Sequence, residues 1–211
     1  MNSNSTSSDR LHFGQLYALD SALERGAFHF TPVHDIDSPA ALLRGEVRPQ
    51  QPVEFHWHMG GKPHDMMGTT HAILHIISKR FVDTLLDERA TGWGTFPVRL
   101  YDRSGLELSG YYGLVVTGRA GPIDRSRSRI ELVPPPVPTG KAMYTEIGTY
   151  FDPVTWDGSD IFTLERTGVV CVVERIKLAL EQRKLTNLTF DRMSERHGNI
   201  SSKPPSGRVR D

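Results

Sequence analysis

The chain has 211 residues, and its 25 basic side chains are balanced by 25 acidic ones, so it carries no global field to recruit nucleic acid or an anionic membrane. At 37% hydrophobic and 24% charged it has the composition of a globular chain with one sizeable core, which excludes disorder of the whole. The single cysteine, Cys171, has no partner for an internal disulfide and lies in the apolar run Val169-Val170-Cys171-Val172-Val173, a pattern that fits a reducing cytoplasm.

In chain order, residues 1–10 are rich in Asn, Ser and Thr without the apolar centre of a secretory signal, and predict a disordered tail. No stretch reaches the roughly 18 apolar residues of a membrane span, so the expectation is a cytoplasmic protein with no membrane partner. Residues 15–19 and 53–57 read as strands, with a short helix near 40–43 between them. The run Ile73-Leu74-His75-Ile76-Ile77 predicts a buried strand, Ser78 a helix cap, and Phe81, Val82, Leu85 and Leu86 one apolar helical face. Phe96, Val98 and Leu100 then alternate as a strand, which Pro97 assigns to a sheet edge. Asp102-Arg103-Ser104-Gly105 signals a turn, and Gly110 to Val116 a strand returning as an antiparallel hairpin. Further strands are expected at 130–133 and 161–164. The run Pro134-Pro135-Pro136-Val137-Pro138 reads as an exposed connection between two halves.

Those halves resemble each other. Val169 to Val173 leads into a helical face of Ile176, Ala179 and Leu180, and then to Leu188-Thr189-Phe190, in the order already met at 73–101. Arg80 aligns with Arg175, Phe81 with Ile176 and Leu85 with Leu180 at one offset, 175 − 80 = 95, and Phe96 aligns with Phe190 after a one-residue gap. The expected fold class is therefore α+β: mixed sheets with short helices, built around two similar strand-helix-strand units at about 73–101 and 161–193. A single domain spans 11–193, followed by a flexible tail over 194–211.

Chemistry is sparsely signalled. Five of nine histidines, His56, His58, His64, His71 and His75, lie between 56 and 75, and they define an alternative reading as a metal-dependent hydrolase. Against it, His71 and His75 on a strand would stand about 13 Å apart, and the Glu of a His-Glu-x-x-His helix is absent. No catalytic residue, metal ligand set or cofactor motif is assigned. Arg119, Arg125, Arg127 and Arg129 are interrupted by Asp124 and Glu131 and lack aromatic residues for base stacking, so no nucleic acid partner is expected. The segment Trp156-Asp157-Gly158-Ser159-Asp160 combines acidic residues with an aromatic, which suits either a turn or a binding surface.

Several segments, taken in order, resemble immunity protein family eleven of bacterial polymorphic toxin systems. They are Gly61-Lys62-Pro63-His64-Asp65-Met66-Met67, Ile76-Ile77-Ser78-Lys79-Arg80-Phe81, Gly92 to Val98, Tyr111-Tyr112, Asp160-Ile161-Phe162 and Leu188-Thr189-Phe190. The resemblance implies a cytoplasmic protein that binds and neutralises a cognate toxin, encoded beside it, by stoichiometric occlusion without catalysis. Candidate partner-binding residues are Trp156, Asp157, Asp160 and Tyr112. A basic nuclease toxin would call for a local acidic patch, expected around Asp152, Asp157 and Asp160.

Overall fold

The structure, a computed structural model, describes residues 12–22, 25–134 and 143–201. The first half comprises β1 (Leu16–Ser21), β2 (His29–Pro32), α1 (Pro39–Leu43), β3 (Val53–Met59), β4 (Met66–Thr69), β5 (His75–Ser78), α2 (Lys79–Asp87), β6 (Trp93–Tyr101) and β7 (Glu107–Leu108). The second comprises β8 (Tyr111–Val116), β9 (Gly118–Ala120), β10 (Arg129–Val133), β11 (Met143–Ile147), β12 (Ile161–Leu164), β13 (Val170–Val173), α3 (Glu174–Gln182), β14 (Leu188–Arg192) and β15 (His197–Ser201). The fold is α+β.

One sheet runs β3-β2-β4-β5-β8-β6, and β3 pairs again with β6 in parallel, so six strands close into a barrel with β7 on its rim. A second sheet is open, in the order β14-β1-β13-β12-β9, and a third consists of β10, β11 and β15. Apolar side chains alternate across the open sheet. Tyr17, Leu19, Val170, Val172 and Ile161 face a core shared with barrel residues such as Phe30, Phe55 and Phe81, whereas Leu16, Ala18, Cys171 and Phe162 face a second core with Phe13, Phe151 and Met193. A sheet buried on both faces needs unbroken apolar strands, which is why 169–173 reads as a continuous run rather than an alternating one.

The strand-helix-strand units are both present, but their strands are not neighbours. β8 lies between β5 and β6, and β1 lies between β13 and β14, antiparallel to its flanking strands in each case. Registers match at the offset read from the sequence: Ser78 opposite Tyr111 corresponds to Val173 opposite Leu16, and Trp93 opposite Val116 to Leu188 opposite Ser21. Since 111 − 16 and 173 − 78 are both 95, β1 and β8 are equivalent strands. Each repeat therefore begins earlier than expected, and each lends its first strand to the other's sheet. The same register removes the expected one-residue gap, because Thr95, not Phe96, occupies the position of Phe190.

Other expectations are corrected. Pro97 is not on an edge strand: β8 partners run from Trp93 to Pro97 and β3 partners begin at Val98, so the missing donor falls where one ladder hands over to the next. The strand expected from Ile73 starts at His75, because the Leu74 N–H closes a turn onto the His71 carbonyl. Leu86 is 61% exposed, since the buried stripe of α2 is Phe81, Thr84 and Leu85. The proline run joins β10 to β11 within the second half, and the halves meet instead at the 102–110 turn; residues 135–142 themselves lie outside the described residues. The folded part passes 193, for β15 pairs with β11 and gains order from its backbone ladder, not from apolar periodicity. The expected tail at 1–10 lies outside the described residues.

Ser78 caps α2 as expected, its hydroxyl accepting from the Phe81 N–H at 3.2 Å, and it also donates to Asp65 at 2.6 Å. Val173 holds the same position before α3 and offers no side-chain cap. Ser78→Ala is expected to cost about 1–2 kcal/mol, read as a lowered urea midpoint with an unchanged m-value.

Candidate functional site

The loop before β12 gathers three of the four candidate residues. Asp152 opens a short 3-10 turn at Pro153–Thr155, its carboxylate accepting from the Val154 N–H at 3.1 Å, and Val154 at the tip is 90% exposed. Thr155 donates to the Asp152 carbonyl and accepts from the Gly121 N–H at 2.8 Å, which ties the turn to the end of β9. The Trp156 indole N–H donates to the Ser159 carbonyl at 3.1 Å while its half-buried ring leans on Phe162 with centroids 5.6 Å apart. Trp57 and Trp93 use their indoles alike, donating to Gly60 and Ala90 carbonyls three residues away. These rings brace loops while covering the core's margin.

Asp157 is exposed, and its carboxylate accepts from the Arg119 N–H at 2.8 Å and the Ser159 N–H at 2.9 Å, while its own N–H reaches the Arg119 carbonyl. It thereby blunts the edge of β9, which would otherwise present open backbone groups. Asp160 is more deeply engaged. Arg175 Nε donates to it at 2.9 Å, and the Thr91 N–H and hydroxyl both donate at 2.8 Å. Tyr112 is set apart from this loop, half-buried on β8 opposite Ile77 and Pro97 and packed against the barrel core.

The arrangement at Asp160 has a twin that sequence reading missed. Asp65 accepts from Arg80 Nη1 at 2.9 Å and from the Thr186 N–H at 3.0 Å, and Arg80 also donates to the Arg183 carbonyl at 2.9 Å. At the other end Arg175 donates to the Glu88 carbonyl at 3.0 Å. Every member is displaced by the repeat: 160 − 65, 175 − 80, 186 − 91 and 183 − 88 are each 95. In both clusters the aspartate and arginine belong to one half, and the threonine and helix-end carbonyl to the other. Two reciprocal clasps thus bind the halves, and Asp160 is a structural residue as well as a surface candidate. The signal was available, since applying the Arg80–Arg175 offset to Asp160 returns Asp65.

The histidines separate. His56 stacks edge-on against Tyr101 at 5.1 Å, His58 lies 6.0 Å from His29, and His75 is buried on β5. Among the described residues no group of three or more His, Cys, Asp or Glu side chains is placed to hold a metal ion. Cys171 is fully buried, and burial pushes its thiol up to about 12, so it is protonated at neutral pH. The arginine run is also engaged. Arg127 lies over Phe13 and Tyr150, each at 4.7 Å, Arg125 pairs with Glu146, and Arg129 pairs with Glu131. Arg119 donates to the Val116 carbonyl at 2.6 Å and the Arg44 carbonyl at 2.7 Å.

Thr155 and Asp157 tie the loop to β9 and Asp160 ties it to Thr91 and Arg175, so that it displays the exposed Val154 beside the exposed residues Asp152 and Asp157. No described helix is long and apolar enough to cross a membrane. Compared with known protein families and with curated proteins, the chain matches none.

Proposed function

We propose that this chain is a cytoplasmic immunity protein that binds a cognate bacterial toxin and neutralises it by stoichiometric occlusion, without performing chemistry. The reading rests first on the ordered resemblance along the sequence. The observation that carries it in three dimensions is the pre-organised 152–160 loop, whose Asp152, Trp156, Asp157 and Asp160 side chains are fixed by hydrogen bonds while Val154 stands 90% exposed at its tip. A loop already ordered loses little conformational freedom on docking, so more of its contact energy becomes affinity. An exposed aliphatic tip ringed by polar groups also suits an interface centre that excludes water.

The full chain should form a stoichiometric complex with the product of an adjacent toxin gene, measured by titration calorimetry, and should protect cells that express that toxin. Val154→Asp, at a position too exposed to matter for folding, is expected to weaken the complex at least tenfold, about 1.4 kcal/mol or more. Absence of both binding and protection for every adjacent toxin would overturn the reading.

A further inference from the structure

We propose that the seam between the barrel and β1 is an acid-operated latch, in which proton uptake by His29 and His75 loosens β1 from the barrel wall. The geometry is a row across three neighbouring strands: His29 on β2 pairs with Gly68 on β4, and Gly68 pairs with His75 on β5. The central position has no side chain, and a Cβ there would stand 2.8 Å from His29 Cδ2 and 3.5 Å from Ser21 Oγ on β1. The His29 ring thus lies over Gly68, in the space that separates β4 from β1. His75 is 4% exposed, and its Nε2 is 3.8 Å from Asp20 Oδ1, again on β1. The Nδ1 atoms of His29 and His75 are both buried and find no hydrogen-bond partner among the described protein groups.

The groups that would meet a new charge here are few. β1 contributes Asp20, β3 contributes His58 with its ring 6.0 Å from His29, and β4 contributes only Gly68 at this level. A proton on His75 would therefore be buried against one carboxylate held beyond hydrogen-bonding length, and a proton on His29 would face a second imidazole. Burial holds both His29 and His75 below the ordinary imidazole value of 6.5; His58 lowers His29 further, and Asp20 partly offsets the effect at His75. A folded value below the unfolded one means that the contribution to stability is complete above 6.5 and is lost as pH falls through the folded values. The strain falls on the seam because β1 is hydrogen-bonded into the other sheet, between β13 and β14, and meets the barrel through side chains alone.

The test uses the full chain. Histidine ring resonances are followed by NMR from pH 8 to 5, and hydrogen exchange of β1 and β8 amides, corrected for intrinsic rates, is compared over the same range. His29 and His75 are expected to titrate below 6.5 in the folded protein. β1 is expected to lose protection before β8, and the unfolding equilibrium constant to rise roughly tenfold for each unit by which an imidazole is depressed. The double variant His29→Gln, His75→Gln should flatten that rise, measured by urea titration at each pH. The latch is overturned if both imidazoles titrate at or above 6.5, if β1 stays protected until the whole chain unfolds, or if the double variant keeps the full pH response.

Discussion

Replacing Asp65 with alanine is expected to lower stability by about 3 kcal/mol, more than the same change at its twin, Asp160. The Asp65 carboxylate is 6% exposed and accepts from the Ser78 hydroxyl, Arg80 Nη1, and the Thr186 N–H and hydroxyl. Its removal leaves a buried hydroxyl and a backbone donor unpaired and also cuts the tie between the halves. Arg80 is 60% exposed, so its charge returns to water, which keeps the cost at the lower end for a broken ion pair. Asp160 is 13% exposed, and Val173 replaces the buried serine at its end, so about 1–2 kcal/mol is expected there. Because the clasps share no residue, the double variant should lose close to the sum. Urea unfolding of the three variants decides the matter. A larger loss at Asp160, or a loss at Asp65 under about 0.5 kcal/mol, would mean that burial and hydrogen-bond occupancy do not set what each clasp contributes.

The local elements were legible where a side chain acts on its own backbone. Ser78 announced a cap, Val169 to Val173 a buried strand, and the Asp102–Gly105 sequence a turn, because each effect is decided within a few residues. The repeat was legible through Arg80 and Arg175, since both clasps need a guanidinium that reaches a carboxylate and a helix-end carbonyl at once. The exchange of first strands was not. β1 and β8 share only Tyr17 with Tyr112 and Leu19 with Leu114 at the 95-residue offset, and a strand's pairing partner is fixed by distant neighbours that leave no periodicity in its own sequence. Phe96 misled for a related reason. Its ring lies over Gly113 on the adjacent strand, a cross-strand fit that Asp191 opposite Ala18 does not repeat, so matching aromatics implied a gap where the backbone has none. At the candidate site the acidic residues were visible and their occupation was not: Asp157 is committed to Arg119 and Asp160 to Thr91 and Arg175, partners on other elements that no local spacing announces.

Gly92→Ala is expected to cost about 3–5 kcal/mol, a large fraction of the stability of an ordinary domain. Two penalties combine there. The residue has φ +80°, which disfavours any side chain, and an added Cβ would stand 2.1 Å from the Ile161 carbonyl oxygen and 2.5 Å from Ser159 Cβ. The chain cannot easily retreat, because the Gly92 carbonyl accepts from the Thr117 and Gly118 N–H groups at 2.9 and 3.0 Å, and the neighbouring Thr91 holds Asp160. Gly158→Ala supplies the control. It has almost the same φ, +82°, and nothing within 4 Å of the added Cβ, so only the conformational penalty of about 1–2 kcal/mol should appear. The difference between the two urea midpoints then isolates the clash with the strand that follows the candidate loop. The twin of Gly92 is Asn187, at φ +62°, whose side-chain amide donates to the Met66 carbonyl at 2.7 Å, the counterpart of the Ile161 carbonyl. One end of the duplicated scaffold thus meets that carbonyl with a donor and the other with bare backbone, and equal losses in the two glycine variants would show that the close approach at Gly92 does not constrain the loop.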